Sequence, residues 1–135
     1  VGQHCIQCCR EAMARNYVPE VALACLLHDG SEAYLADVTR PVKKNMTMYL
    51  QIEEQLQNMI YHKFLGYVPE GEEAVLVKNI DDACLYYEFD HFMGEKLFPV
   101  EPVMMGNPSY EVQPMKDVEA EFLALYHKIK EQMQG

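Results

Sequence analysis

The chain has 135 residues, half of them hydrophobic, which is enough for one domain with a real core and too apolar for a disordered tail. A net charge of -10 and a pI of about 4.8 argue against a general nucleic-acid or anionic-membrane surface, because such surfaces need clustered Lys and Arg. A small anionic substrate stays compatible, since a bound divalent cation reverses the local sign within one pocket.

In chain order the pattern is helical almost throughout. Residues 2–16, "GQHCIQCCREAMARN", set Ile6, Cys9 and Met13 at spacings of three and four, one apolar stripe. Helical pattern begins at Val1 with no cap before it, so the chain is expected to be part of a longer one. "YVPE" breaks the pattern, and Pro19 suits the first turn of a short helix over 19–28 that is apolar nearly all round and therefore central. Gly30 and Ser31 loosen the chain before "SEAYLADV", a short helical piece or turn ending near Pro41. Residues 44–66 and 70–93 predict two long helices, the first stopped by Gly66. Residues 94–114 hold four prolines and two glycines and predict an ordered irregular loop; 115–134 predict a closing amphipathic helix. The expected fold is all-α, a single-domain bundle of about five or six helices.

Five cysteines (Cys5, Cys8, Cys9, Cys25 and Cys84) are an odd number, mostly inside apolar patterns, which argues against a secreted disulfide framework. Cys5, Cys8 and Cys9 with His4 have the look of a thiol zinc site but lack the second distant pair, so they read as small buried hydrophobes. No run of 18 apolar residues and no signal-peptide pattern occurs, so a cytoplasmic setting without a membrane partner is expected.

The chemistry gathers around "CLLHDGSEAYLADVTRPVK". His28 and Asp29 close the apolar helix side by side, and imidazole with carboxylate suits Mn, Fe, Co, Ni or Zn. His4 stands on the first helix. Asp81 borders the apolar stripe of Leu76, Ile80, Cys84 and Tyr87, where a mid-helix acid is costly unless paired or metal-bound. Glu88, seven residues on, shares the face of Asp81 and reads equally as pocket lining or as an exposed acid. The order is H…HD…D.

This pattern resembles the HD-domain metal-dependent phosphohydrolases, and within them the deoxyribonucleoside 5'-monophosphatase branch. "LLHDGSEAYLADVTRPVK" is similar to that branch's HD-x-x-E-x-x-x-x-D-x-x-x-P-V-K pattern, "VGQHC" to its first-histidine motif, and "LVKNIDDACLYYEF" to its last-aspartate helix. The resemblance covers roughly residues 1–93. It implies one divalent metal (Mn, Co, Fe, Zn, Ni or Mg) held by His4, His28, Asp29 and Asp81. It implies Glu32 as the acid that orients or deprotonates the attacking water, and Asp37 as a general acid or sugar contact. Lys43 and Lys78 are candidate phosphate contacts. The implied activity is hydrolysis of nucleoside or deoxynucleoside 5'-monophosphates, and the resemblance suggests a homodimer. In that branch a segment before the first histidine supplies an arginine and an aromatic residue to the substrate; this sequence begins three residues before His4, so that segment is expected either to lie outside it or to be lacking. The alternatives are an HD hydrolase acting on a signalling nucleotide or a triphosphate, and a non-catalytic helical regulatory module stabilised by metal.

Overall fold

The computed structural model describes residues 2–30, 46–95, 101–106, 110–111 and 113–134. Among them are five helices and no strand: α1 Gly2–Ala14, α2 Pro19–Leu27, α3 Met46–Phe64, α4 Glu72–Met93 and α5 Met115–Gln134. The all-α class read from the periodicity is the class observed. The expected piece over 31–38 lies outside the described residues.

A helix without a polar face has nothing to offer water, so it goes to the middle. That helix is α2, in which every residue from Val21 to Leu27 is at most 4% exposed. It packs most extensively on α1 and α5 and also meets α3 and α4. The neighbours turn their stripes towards it: Ile6, Cys9 and Ala12 from α1, Ile60 from α3, Ile80 and Cys84 from α4, and Ile129 from α5. All five cysteines are buried here, none of them in a disulfide. No helix among the described residues is long and apolar enough to cross a membrane.

Helix ends follow local chemistry. Pro19 opens α2, where its missing N–H costs nothing. The first helix stops at Ala14, two residues short of the expected end. Asn16 takes a left-handed φ of 61°, and the N–H of Tyr17 turns back to donate to the Ala12 carbonyl at 3.1 Å. Helix α4 starts at Glu72 rather than 70 because Gly71 adopts φ 60°, ψ -126°, a conformation open essentially to glycine alone.

Residues 101–106 have neither helix nor strand and are fastened to α1. Glu11, 2% exposed, accepts from the N–H groups of Met105 (2.9 Å) and Gly106 (2.6 Å) and from Nε of Arg15 (2.7 Å). Arg15 Nη2 donates onward to the Val103 carbonyl at 2.7 Å. A Cβ at position 106 would stand 3.1 Å from Glu11 Oε1, so glycine there lets the backbone approach the carboxylate closely.

Candidate metal site

Three helices supply the site. On α1, His4 and Cys8 are four residues apart and share a face. On α4, Asp81 and Glu88 are two turns apart on one face. His28 and Asp29 sit at the C-terminal end of α2, where the last carbonyls have no partner within the helix. Two of those carbonyls fix the local geometry. His28 Nδ1 donates to the Cys25 carbonyl at 2.6 Å, and Gln57 Nε2 from α3 donates to the Leu27 carbonyl at 2.7 Å. Gly30 then passes close to Ile60, whose side chain would lie 3.1 Å from an added Cβ.

The cluster formed by α1, the end of α2 and α4 is tight. His4 Nε2 is 2.6 Å and His28 Nε2 is 3.0 Å from the same oxygen, Asp81 Oδ1. Asp29 Oδ2 lies 3.3 Å from His28 Nε2 and 3.9 Å from His4 Nε2. Cys8 Sγ is 3.5 Å from His4 Nε2. One donor atom each from His4, Cys8, His28 and Asp81 lies within 4.8 Å of all the others. The His28 side chain is 8% exposed, that of His4 13%, Asp81 18% and Asp29 27%, so the cluster opens to solvent on its Asp29 side.

Hydrogen-bond logic makes this arrangement informative. A carbonyl oxygen only accepts, so Nδ1 of His28 carries the hydrogen. His4 has a carboxylate at each nitrogen, Glu88 2.9 Å from Nδ1 and Asp81 2.6 Å from Nε2, so the one hydrogen of a neutral ring serves only one of them. In either neutral ring one nitrogen is then a lone pair facing an oxygen that also only accepts: Nε2 of His28 toward Asp81, and one of the two nitrogens of His4 toward Glu88 or Asp81. Two things resolve that conflict: a second proton on each ring, or a cation among the four atoms. Without a cation the protons are drawn in. Burial opposes charge on His4, but its contacts with Asp81 and Glu88 outweigh burial and raise its pKa to about 9. Burial likewise opposes charge on His28, and contacts with Asp29 and Asp81 raise it to about 10. Burial works against ionised Asp81, yet the two imidazoles hold its carboxyl well below the usual range. The Cys8 thiol is pushed far up, first by its contact with Cys84 and then by burial.

With a cation, the same atoms form a mixed imidazole and carboxylate donor set suited to Mn, Fe, Co, Ni or Zn. Ligating histidines that donate their other N–H to a carboxylate or a carbonyl are the usual outer support of such sites. Glu88 and the Cys25 carbonyl have that relation to His4 and His28. The residues present therefore fit a divalent metal.

All four sequence-predicted ligands, His4, His28, Asp29 and Asp81, come together from three helices. Glu32, Asp37 and Lys43 lie outside the described residues. Lys78 is 68% exposed and ion-paired with Asp82 at 2.9 Å; that contact raises its pKa, and the charges of Asp81 and Asp29 also raise it. Glu88, left undecided by its spacing, is the partner of His4. Cys8 was read as a plain hydrophobe; its position one turn after His4 was the available signal. A cleft of about 270 Å³ runs beside the cluster, lined by His28, Asp29, Glu53, Glu54, Gln57 and others. A larger one of about 790 Å³, bordered by His62, Tyr67 and Glu73, contains no cluster residue; the titratable cluster, not cleft size, marks the site.

No family model matches the chain, and no solved structure matches it. It is similar to the uncharacterized protein YfdR of Escherichia coli (strain K12), 34% identical over 120 residues, which cover 79% of this chain and 64% of that protein. The chain thus spans less than two thirds of the length of this curated relative.

Proposed function

We propose that the chain is a metal-dependent phosphohydrolase that converts nucleoside or deoxynucleoside 5'-monophosphates to nucleoside and phosphate. The observation that carries the reading is the pair of Nδ1-anchored histidines whose Nε2 atoms converge with Asp81 and Asp29. The HD-type order of motifs supports it from the sequence. In this reading His4, His28, Asp29 and Asp81 hold one divalent cation. When bound, that cation supplies Lewis acidity that offsets phosphoryl charge and lowers the pKa of a water.

The chain's own residues divide the remaining work. Glu88 and the Cys25 carbonyl keep both imidazoles in the Nδ1–H form, so that Nε2 faces inward. Glu32 orients water and takes its proton as the new P–O bond forms. Asp37 gives a proton to the ester oxygen as the bond to the nucleoside breaks, or contacts the sugar. The adjoining cleft is acidic, with Glu53 and Glu54 on its wall, so a cation held by the cluster would offset that charge toward a phosphate. A cytoplasmic setting, which keeps five thiols reduced, belongs to the same reading.

The test is phosphate release from a panel of nucleoside monophosphates. Metal-stripped protein is resupplied with Mn, Co, Zn or Mg, and wild type is run beside Asp29→Ala and Glu32→Ala. Release should depend on metal and vanish in Asp29→Ala. Glu32→Ala should keep its metal and lose about 10²–10⁴ in kcat. Release that persists after metal removal, or full turnover in Glu32→Ala, defeats the mechanism.

A further inference from the structure

We infer that Cys8 is a further metal-contacting residue, which gives the site a sulfur donor beside His4, His28 and Asp81 and a preference for thiophilic divalent cations over Mg(II). The inference rests on the metal reading above and adds a ligand that the HD-type motif does not include.

Geometry carries it. For an ion with bonds of about 2.3 Å to sulfur and about 2.0–2.1 Å to nitrogen, neighbouring donor atoms stand about 3.1–3.6 Å apart over the usual range of coordination angles. Cys8 Sγ and His4 Nε2 are 3.5 Å apart. The sulfur also satisfies the mutual 4.8 Å limit with the donor atoms of His28 and Asp81. Helix α1 enforces this, because residues four apart project from the same face and His4 already aims at Asp81.

Cys8 and Asp29 occupy opposite situations. Cys8 is 1% exposed and closes the protein side of the cluster, whereas the Asp29 side chain is 27% exposed on the open side. Sulfur on the closed side and carboxylate on the open side leave the open side for water and substrate. The other cysteines differ. Cys5 groups with His28 and Asp29 only, and Cys9, Cys25 and Cys84 belong to no such group among the described residues. A coordinated thiol surrenders its proton to solvent, so burial of Cys8 is compatible with ligation once a cation is present. Soft thiolate donors select Zn and its neighbours over Mg.

Titration of metal-stripped wild type with Co(II) reads this directly. One equivalent should bring up a sulfur-to-cobalt charge-transfer band in the near ultraviolet, together with the weaker d–d bands. Cys8→Ser should abolish the charge-transfer band and keep the d–d bands, whereas Cys5→Ser and Cys84→Ser should keep both. Zn(II) affinity should fall by about tenfold or more in Cys8→Ser, with Mg(II) affinity nearly unchanged. One equivalent of Co(II) bound by wild type without the charge-transfer band overturns the sulfur contact alone, and a band that survives Cys8→Ser assigns it to another thiol. Failure of Co(II) to bind at all overturns the metal reading together with this one. If Cys8→Ser does not fold, Cys8→Ala reads the same band, and a wild-type spectrum without it overturns the contact on its own.

Discussion

Glu11 and Asp81 are both carboxylates drawn toward the interior, and both are met by nitrogen atoms, yet their surroundings are built on opposite terms. Around Glu11 the partners include two backbone amides and a guanidinium, groups that donate at any ordinary pH. Every partner there is complementary, and nothing further is called for. Around Asp81 the partners are two imidazole nitrogens whose rings also face Glu88 and the Cys25 carbonyl, so a single hydrogen per ring does not serve both sides. There, acceptor faces acceptor until a proton or a cation intervenes. A buried acid with fixed donors is a staple, and a buried acid facing lone pairs is a place for something else to bind.

Crossing the two clusters gives the largest expected effects. Asp81→Asn should abolish stoichiometric metal binding. Glu11→Ala should leave one metal per chain but cost about 3–5 kcal/mol of unfolding free energy, because it strands a partly buried guanidinium and two amides. Metal content by atomic absorption and denaturant unfolding at neutral pH measure the pair. If Glu11→Ala loses its metal while still folded, the two regions are not separable and the contrast fails.

How much of this could be read from the sequence differs between the same two regions. Helix α2 announces itself by having no polar face, and its C-terminal His28-Asp29 is legible because an imidazole and a carboxylate close an otherwise apolar run. Asp81 stands out as an acid beside an apolar stripe. Glu11 does not: with Arg15 four residues on, it looks like an ordinary exposed helix pair, and its burial depends on a loop some 90 residues away. Cys8 is hidden for a different reason, since cysteine in an apolar pattern reads as a hydrophobe whether or not its sulfur meets a ring nitrogen. The end of α1 falls two residues before the end of the helical pattern because a left-handed Asn16 leaves no periodicity signal.

A smaller effect sharpens the contrast from the support side. Glu88→Gln keeps an oxygen that can accept from His4 Nδ1 but removes the charge that polarises the ring. Outer partners of this kind are worth about 10–100-fold in metal affinity, or about 1.4–2.7 kcal/mol. Competition against a chelating dye should show that loss, and the metal-stripped protein should also unfold earlier at neutral pH, because Glu88 helps hold the charge on His4 there. An unchanged affinity would mean that the Glu88 contact does not prepare His4 as a ligand.

The smallest effect is a trend with pH, and its sign distinguishes the two states of the Asp81 cluster. In the metal-stripped protein His4 and His28 are raised from 6.5 to about 9 and about 10. The folded state therefore holds more protons than the unfolded one, and the contribution is fully present below about 6.5 and lost as pH rises through 9 to 10. Asp81 is lowered from 3.8, so its contribution is present above about 4 and lost on acidification. A cation needs both Nε2 lone pairs, so it must displace those same protons, and its affinity rises over the window in which the stripped protein weakens. Thermal unfolding of stripped and metal-saturated protein between pH 6 and 9 should show two midpoints that move apart as pH increases. Midpoints that stay parallel would mean that the imidazoles do not exchange protons for metal, and the Asp81 cluster would then be a staple of the same kind as Glu11.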